Sequence, residues 1–207
     1  MTLFNLRRSA PAAMLAAALT ASVLAGCATT SAPRSSTAVA PYQDSVELAG
    51  GIAINYSKDG KRESLTGKFT WHQTKAATDV TLISPTGQIL AVINVTPVSA
   101  TLKQSGKEPR TASDLDSLTT QALGWTLPVS GLREWLQGYA TDASGKRFVA
   151  SPANDTVVTR DGWKVEYATW QDDTAAVPQP KRIDLTRLGA GQVDDLTIRI
   201  AIRPGTE

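Results

Sequence analysis

The chain has 207 residues, of which 21 are Lys or Arg, 19 are Asp or Glu, one is His and one is Cys. Arg7 and Arg8 are the only charged residues ahead of Cys27, so a chain beginning at that cysteine carries 19 basic against 19 acidic residues. A net charge near zero excludes the basic footprint of a nucleic-acid binder and argues against an electrostatic membrane patch.

Arg7 and Arg8 precede an apolar, alanine-rich run from Pro11 to Leu24. This is the pattern of an export signal and not of a membrane-spanning helix. Export into an oxidising compartment with a single cysteine requires that its thiol be otherwise occupied. Leu24-Ala25-Gly26-Cys27 resembles the lipobox of bacterial lipoprotein precursors. The resemblance implies a signal peptide over residues 1–26, S-diacylglyceryl and N-acyl groups on Cys27, and no other cofactor. Two or more acyl chains, at ~0.8 kcal/mol per buried methylene, anchor a protein where one chain is marginal. Lipoproteins kept in the inner membrane usually carry aspartate after the cysteine. Here the residue is Ala28, which points to the inner leaflet of a Gram-negative outer membrane, on its periplasmic face. Residues 27–41 are rich in Ser, Thr, Ala and Pro, so they read as the acylated cysteine followed by a flexible tether. Residues 42–207 suit one domain.

That domain reads mainly as strands. Val46 to Tyr56 comes first, with Gly50-Gly51 as an expected bulge. Asp59-Gly60 signals a hairpin. After it, Leu65, Gly67, Phe69 and Trp71 alternate with Thr66, Lys68, Thr70 and His72, giving one apolar and one wet face. Val80 to Ile83 and Ile89 to Val95 flank the tight connection Ser84-Pro85-Thr86-Gly87. Farther on, Asp161-Gly162 joins Thr156–Arg160 to Trp163–Trp170, and Ile183–Leu188 and Leu196–Ile202 complete the set. Helical signals interrupt only the middle. Ser113 and Asp116 form a Ser-x-x-Asp cap ahead of Leu115, Leu118, Ala122 and Leu123, with an end at Gly124. A second helix starts at Ser130, places Leu132, Trp135 and Leu136 on one side, and stops at Gly138. Their apolar stripes can pack on the concave face of a curved sheet. Periodicity alone does not distinguish filling a core from lining a cavity, and on that ground alone core filling has the larger share.

Catalytic chemistry finds little support. His72 lies on the polar face of its strand with no evident acidic partner nearby in sequence, so neither a nucleophilic triad nor a zinc site is expected. Asp172-Asp173 and Asp194-Asp195 lack the alternating oxygen spacing of a calcium loop. Gly189-Ala190-Gly191 lacks the lysine and the helix of a phosphate loop.

Several segments in order resemble the LolB family of outer-membrane lipoproteins. Phe69-Thr70-Trp71-His72-Gln73 fits its Phe-x-Trp-x-Gln strand, and Ser84-Pro85-Thr86-Gly87 and Leu127-Pro128-Val129 fit its loops. Leu132-Arg133-Glu134-Trp135-Leu136-Gln137-Gly138 fits its Leu-Arg-x-Trp helix. Gly162-Trp163-Lys164-Val165-Glu166-Tyr167 and Ile183-Asp184-Leu185 follow. The resemblance implies an incomplete antiparallel β-barrel of about eleven strands with short α-helices plugging a hydrophobic cavity. It implies a monomer that is not an enzyme, which accepts acylated lipoprotein cargo from a LolA-like periplasmic carrier and inserts it into the outer membrane. Leu118, Leu123, Leu132, Trp135 and Leu136 would form the lid side of the cavity. Phe69, Trp71, Val165, Tyr167, Ile183 and Leu185 would form its barrel side. Pro85, Thr86 and Gly87 correspond to the membrane-delivery loop, where the family commonly carries a large apolar residue in place of Thr86. The end, Ile200-Ala201-Ile202-Arg203, lacks the family's usual tryptophan. Two other readings stand beside this one. The first is a half-barrel lipoprotein that binds another lipid or a peptide in envelope sensing, and the second is a structural lipoprotein with a solid interior.

Overall fold

The computed structural model describes residues 34–114, 117–120, 128–190 and 193–204. Cys27 and Leu123 lie outside them. Among the described residues twelve strands run in chain order: β1 (Val46–Lys58), β2 (Lys61–Gln73), β3 (Thr78–Ile83), β4 (Ile89–Val95), β5 (Ala100–Gln104), β6 (Arg110–Ala112), β7 (Tyr139–Thr141), β8 (Arg147–Val149), β9 (Thr156–Val158), β10 (Lys164–Trp170), β11 (Pro180–Ala190) and β12 (Val193–Ile202). Helix α1 (Val129–Trp135) precedes β7, and residues 117–120 are also helical. Ten strands form one antiparallel sheet in the order β6-β5-β4-β3-β2-β1-β12-β11-β10-β9. Its two ends do not pair with each other, so the barrel is incomplete, as expected. The hairpin β7–β8 stands apart but reaches β9 through the N–H of Ala143, which donates to the carbonyl of Val158 at 3.0 Å.

Turn chemistry sets much of this path. Asp59 and Gly60 both have positive φ, 50° and 72°, as a two-residue hairpin requires, and Lys58 pairs with Lys61 across it. Alternation then decides the faces. Phe69, Trp71, Val80, Ile93, Val165, Tyr167, Ile183, Leu185, Ile198 and Ile200 are all buried on the concave side. Lys68, Thr70 and His72 between them face water. Burying each large apolar side chain contributes about 1.5–3 kcal/mol. The solvent face carries ion pairs such as Arg199–Asp184 at 3.1 Å and Lys164–Glu166 at 2.7 Å, which contribute roughly 0–1 kcal/mol each.

The structure corrects three local expectations. Gly50-Gly51 is not a bulge, because β1 keeps unbroken register with β2 and β12 through both residues. Gly50 is needed for a close approach: a Cβ there would lie 2.0 Å from the carbonyl oxygen of Ala201 and 2.9 Å from the Phe69 ring. The first helical turn is capped by Asp114, not by Ser113. Asp114 Oδ1 accepts from the N–H of Ser117 at 2.7 Å, and the Asp114 carbonyl accepts from the N–H of Leu118 at 3.3 Å. Finally, a flexible tether does not extend to Pro41, because residues 34–41 lie on the domain. The N–H of Val39 donates to Ala150 O at 3.1 Å, Arg34 pairs with Asp155 at 2.8 Å, and Val39 is buried. Distant partners satisfy this segment's backbone, so its poor hydrophobicity does not leave it unfolded.

Strands β5 to β8 were not legible in the sequence. β5 has only Ala100 and Leu102 facing inward, and β6, β7 and β8 have three residues each. Such stretches are too short for alternation to register.

A candidate acyl-binding cavity under helix α1

Helix α1 crosses the concave face of the sheet. It begins at Val129, one residue before the expected Ser130, with Pro128 at its N-cap and no side-chain cap. Proline there costs nothing, since the first turn's N–H groups have no helical partner. The helix ends at Trp135, three residues before the expected glycine, and a turn over residues 136–138 follows it. Gly138 has φ +86°, and its N–H donates to Trp135 O at 3.1 Å. The Val39 methyls occupy the space above Gly138, 2.7 Å from where a Cβ would be.

Three fastenings hold the helix. Arg133, half-buried, donates from its guanidinium to Thr74 O at 2.8 Å, to Ala77 O at 3.3 Å and to Thr78 Oγ1. Gln137 donates from Nε2 to Gln43 O at 3.0 Å, while its Oε1 accepts from the N–H of Gln43 at 2.9 Å. Tyr167 donates its hydroxyl to Trp135 O at 3.1 Å. Burial, reinforced by Glu134, pushes the Tyr167 pKa well above its ordinary value, so at neutral pH the hydroxyl stays a neutral donor.

Beneath the helix the concave face has two unlike halves. Toward β9, β10 and β11 it is filled. The Trp135 and Trp163 rings lie 6.2 Å apart, Tyr167 packs 5.9 Å from Trp170 and stacks on Phe148 at 6.3 Å. Toward β1 to β4 a cavity of about 30 Å³ remains, lined by Ile52, Phe69, Trp71, Val80, Leu82, Ile93, Leu132, Leu136 and Ile200. Every one of these side chains is a hydrocarbon or an aromatic. Four of the cavity residues expected from sequence, Phe69, Trp71, Leu132 and Leu136, therefore meet there. Leu118, Trp135, Val165, Tyr167, Ile183 and Leu185 are buried in the core but lie outside this lining, and Leu123 lies outside the described residues.

Reading the sequence missed Ile52, Val80, Leu82, Ile93 and Ile200 as lining. Their inward alternation was a usable signal, but nothing in it singled them out from the rest of the apolar face. Gln73 was also missed. It is 1% exposed, and its Oε1 accepts from Trp71 Nε1 at 3.2 Å while its Nε2 donates to Tyr42 Oη at 2.9 Å. The Phe-x-Trp-x-Gln pattern thus places two cavity walls and the acceptor for the buried indole on one face, two residues apart.

The loop between β3 and β4 is a tight turn. Gly87 has φ +94°, its N–H donates to Ser84 O at 3.0 Å, and the Ser84 and Thr86 hydroxyls lie 2.8 Å apart. Thr86 is exposed, and so are Ile89 and Leu90 just after it. His72 lies outside the concave face, with Nδ1 3.0 Å from Glu47 Oε1 on the paired position of β1. That acidic partner comes from the strand register and is remote in sequence. Asp172 accepts from the N–H and the hydroxyl of Thr174, which hold its carboxyl below the ordinary range, so it caps a turn. Among the described residues no group of His, Cys, Asp or Glu is placed to hold a metal, and no helix is long and apolar enough to cross a membrane.

Residues 44–204 match the family model described as outer membrane lipoprotein LolB. A LolB outer-membrane lipoprotein of Cupriavidus necator is 39% identical over 163 residues, covering 78% of this chain and 81% of the relative. One from Thiobacillus denitrificans is 33% identical over 186 residues, covering 89% and 92%. A solved structure of a LolA superfamily protein from Nitrosomonas europaea is similar over 80% of this chain and 86% of that one, with 11% identity and a TM-score of 0.43. The strand register, not that likeness, defines the half-barrel here. With a family model spanning the whole half-barrel and relatives of this identity over most of their length, the chain belongs to the LolB family of outer-membrane lipoproteins.

Proposed function

We propose that this lipoprotein takes acylated lipoproteins from a LolA-type periplasmic carrier and passes their acyl chains, without covalent chemistry, through the cavity under α1 into the outer membrane. The receptor role in the Lol pathway follows from the family. The cavity as the route is our reading, and the observation that carries it is a wholly apolar lining beneath a helix that hydrogen bonds fasten at its margins. Each methylene kept out of water is worth ~0.8 kcal/mol, so direct handover between apolar sites avoids exposing a chain worth many such increments. The direction of transfer comes from differential affinity, with the bilayer as the final acceptor. The acyl groups on Cys27 keep the domain at the membrane where cargo is delivered.

In the structure described, the cavity of about 30 Å³ has room for one or two water-sized groups. Acyl binding therefore requires α1 to move away from β1–β4. The filled half beneath Trp135 and Trp163 is the observation that favours a solid structural interior instead. One experiment separates the two. A Cys27→Ala soluble form is mixed with a carrier loaded with an acylated lipoprotein, and transfer is followed by co-purification. Transfer supports the receptor route, whereas a folded protein that strips nothing from the carrier would sink it.

A further inference from the structure

Leu136 borders two separate spaces. On one side it lines the apolar cavity. On the other it lines a groove of about 210 Å³ at the end of the sheet where β1 begins and β12 ends. It is the one residue common to both linings. Besides Leu136, the groove's apolar part comes from Val46 and Leu48 of β1, from Ile202 of β12, and from Val39 and the prolines of the two segments that flank it. Alternation continues each strand directly into the cavity wall. Leu48 is followed on the same face by Gly50 and Ile52, and Ile202 is preceded by Ile200; Ile52 and Ile200 line the cavity. Gly50, between Leu48 and Ile52, presents no side chain. An apolar track thus runs from the groove into the cavity, interrupted by the Leu136 side chain, which is 4% exposed.

The groove's polar border has its own chemistry. Gln43, Gln137, Gln171, Gln179 and Arg203 stand around it, with no carboxylate among the described residues that line it. Gln137 Nε2 and Gln171 Nε2 donate to Gln43 O and Ile202 O, and the Gln43 and Gln179 amides and the Arg203 guanidinium beside the apolar track fit a long hydrocarbon chain that ends in an ester or amide carbonyl, the linkage that joins acyl chains to an acylated protein terminus. The mutual hydrogen bonds of Gln137 and Gln43 span one side of the groove and fix the end of α1 directly after Leu136.

We propose that this groove is the portal through which an acyl chain enters and leaves the cavity, with Leu136 as its gate and the Gln137–Gln43 pair as the clasp that keeps it shut. The proposal rests on the acyl-binding reading above. Rotation of Leu136, or a small lift of the end of α1, joins the two spaces without unfolding the sheet. Leu65 of β2 is half-exposed and lines neither space.

The test is stopped-flow uptake of a dansyl-labelled undecanoic acid methyl ester by the chain from residue 27 with Cys27→Ala. Removing the gate with Leu136→Ala should raise uptake and release rates together, by about fivefold or more, with a smaller change in affinity, since ~1.4 kcal/mol off a barrier is tenfold. Leu136→Trp should slow uptake by about tenfold or more. Because a tryptophan at a buried site can disturb folding, Val46→Trp at the half-exposed groove mouth provides a second block that leaves the cavity wall intact. Leu65→Trp at the far end of β2 should leave the rates unchanged. If the ester binds but Val46→Trp and Leu136→Ala leave its kinetics unaltered, or if Leu65→Trp alone slows uptake, the portal is wrong and the cavity reading stands. If the ester shows no saturable binding to the parent chain, the acyl-binding reading fails and the portal fails with it.

Discussion

Replacing Arg133 tests whether α1 is a fastened lid or part of the permanent core. The guanidinium meets three acceptors in the turn joining β2 and β3 and at the start of β3: Thr74 O, Ala77 O and Thr78 Oγ1. Hydrogen bonds from a charged donor contribute roughly 1.5–3 kcal/mol each. The three share one rigid fork and are partly exposed to water, so they do not add, and Arg133→Met should cost about 2–3 kcal/mol, while methionine retains most of the apolar stem. Thr78 is only 2% exposed, so its hydroxyl would lose a partner that water cannot readily replace. Arg133→Lys keeps the charge without the fork and should lose about half as much. Urea unfolding gives the total, read from the midpoint at constant slope. Amide hydrogen exchange gives the location. The loss of protection should concentrate in residues 129–138 and leave the amides of β1 and β2 near wild type. A total loss below about 0.5 kcal/mol, or protection lost evenly over the sheet, would refute the view of α1 as a separately fastened element.

Three further outcomes follow from the geometry. Gly50→Ala should destabilise the domain by about 3 kcal/mol or more, since the new Cβ meets the Ala201 carbonyl at 2.0 Å and the Phe69 ring at 2.9 Å; a thermal melt within a few degrees of wild type would contradict the close packing. Tyr167→Phe removes the buried hydroxyl donated to Trp135 O and should cost about 1–2 kcal/mol at neutral pH. It should also change the alkaline limb. Because the folded pKa of Tyr167 is raised above its ordinary 10.0, its stabilising contribution is complete below pH 10 and is lost above it, where the unfolded chain ionises first, at up to ~1.4 kcal/mol per pH unit. Urea midpoints measured from pH 8 to 11 should show this extra slope in wild type and not in Tyr167→Phe. Thr86→Leu, at an exposed loop tip, should increase delivery of cargo into vesicles with little change in cargo affinity. Equal delivery by both forms would show that this loop position does not matter here.

The apolar exposure beside Thr86 gives that last comparison a second use. Ile89 and Leu90, 57% and 47% exposed, immediately follow the turn. Should Thr86→Leu add nothing, replacing those two with serine in wild type is the natural next variant.

The sequence alone determined the elements whose signals are local. Asp59-Gly60 specified a hairpin because both residues tolerate positive φ, Gly138 specified the turn that follows α1 for the same reason, and alternation in β2 specified that Phe69 and Trp71 face inward. The ordered motifs were enough to indicate the family. What only the tertiary structure decided is what stands opposite each apolar face. Alternation reports a direction, not a neighbour, and the family resemblance grouped Val165 and Tyr167 with Phe69 and Trp71. The fold then buried the first pair in the core, Tyr167 between Phe148 and Trp170, and set the second pair against a cavity. The same limit hid the packing of residues 34–41, whose hydrogen-bond partners lie about a hundred positions away at Tyr139 and Ala150. It also hid the reason for Gly50, set by Ala201 and Phe69 from neighbouring strands. Local backbone chemistry is written in adjacent residues. Cavities, clasps and close approaches arise where distant segments meet, and only the assembled sheet brings them together.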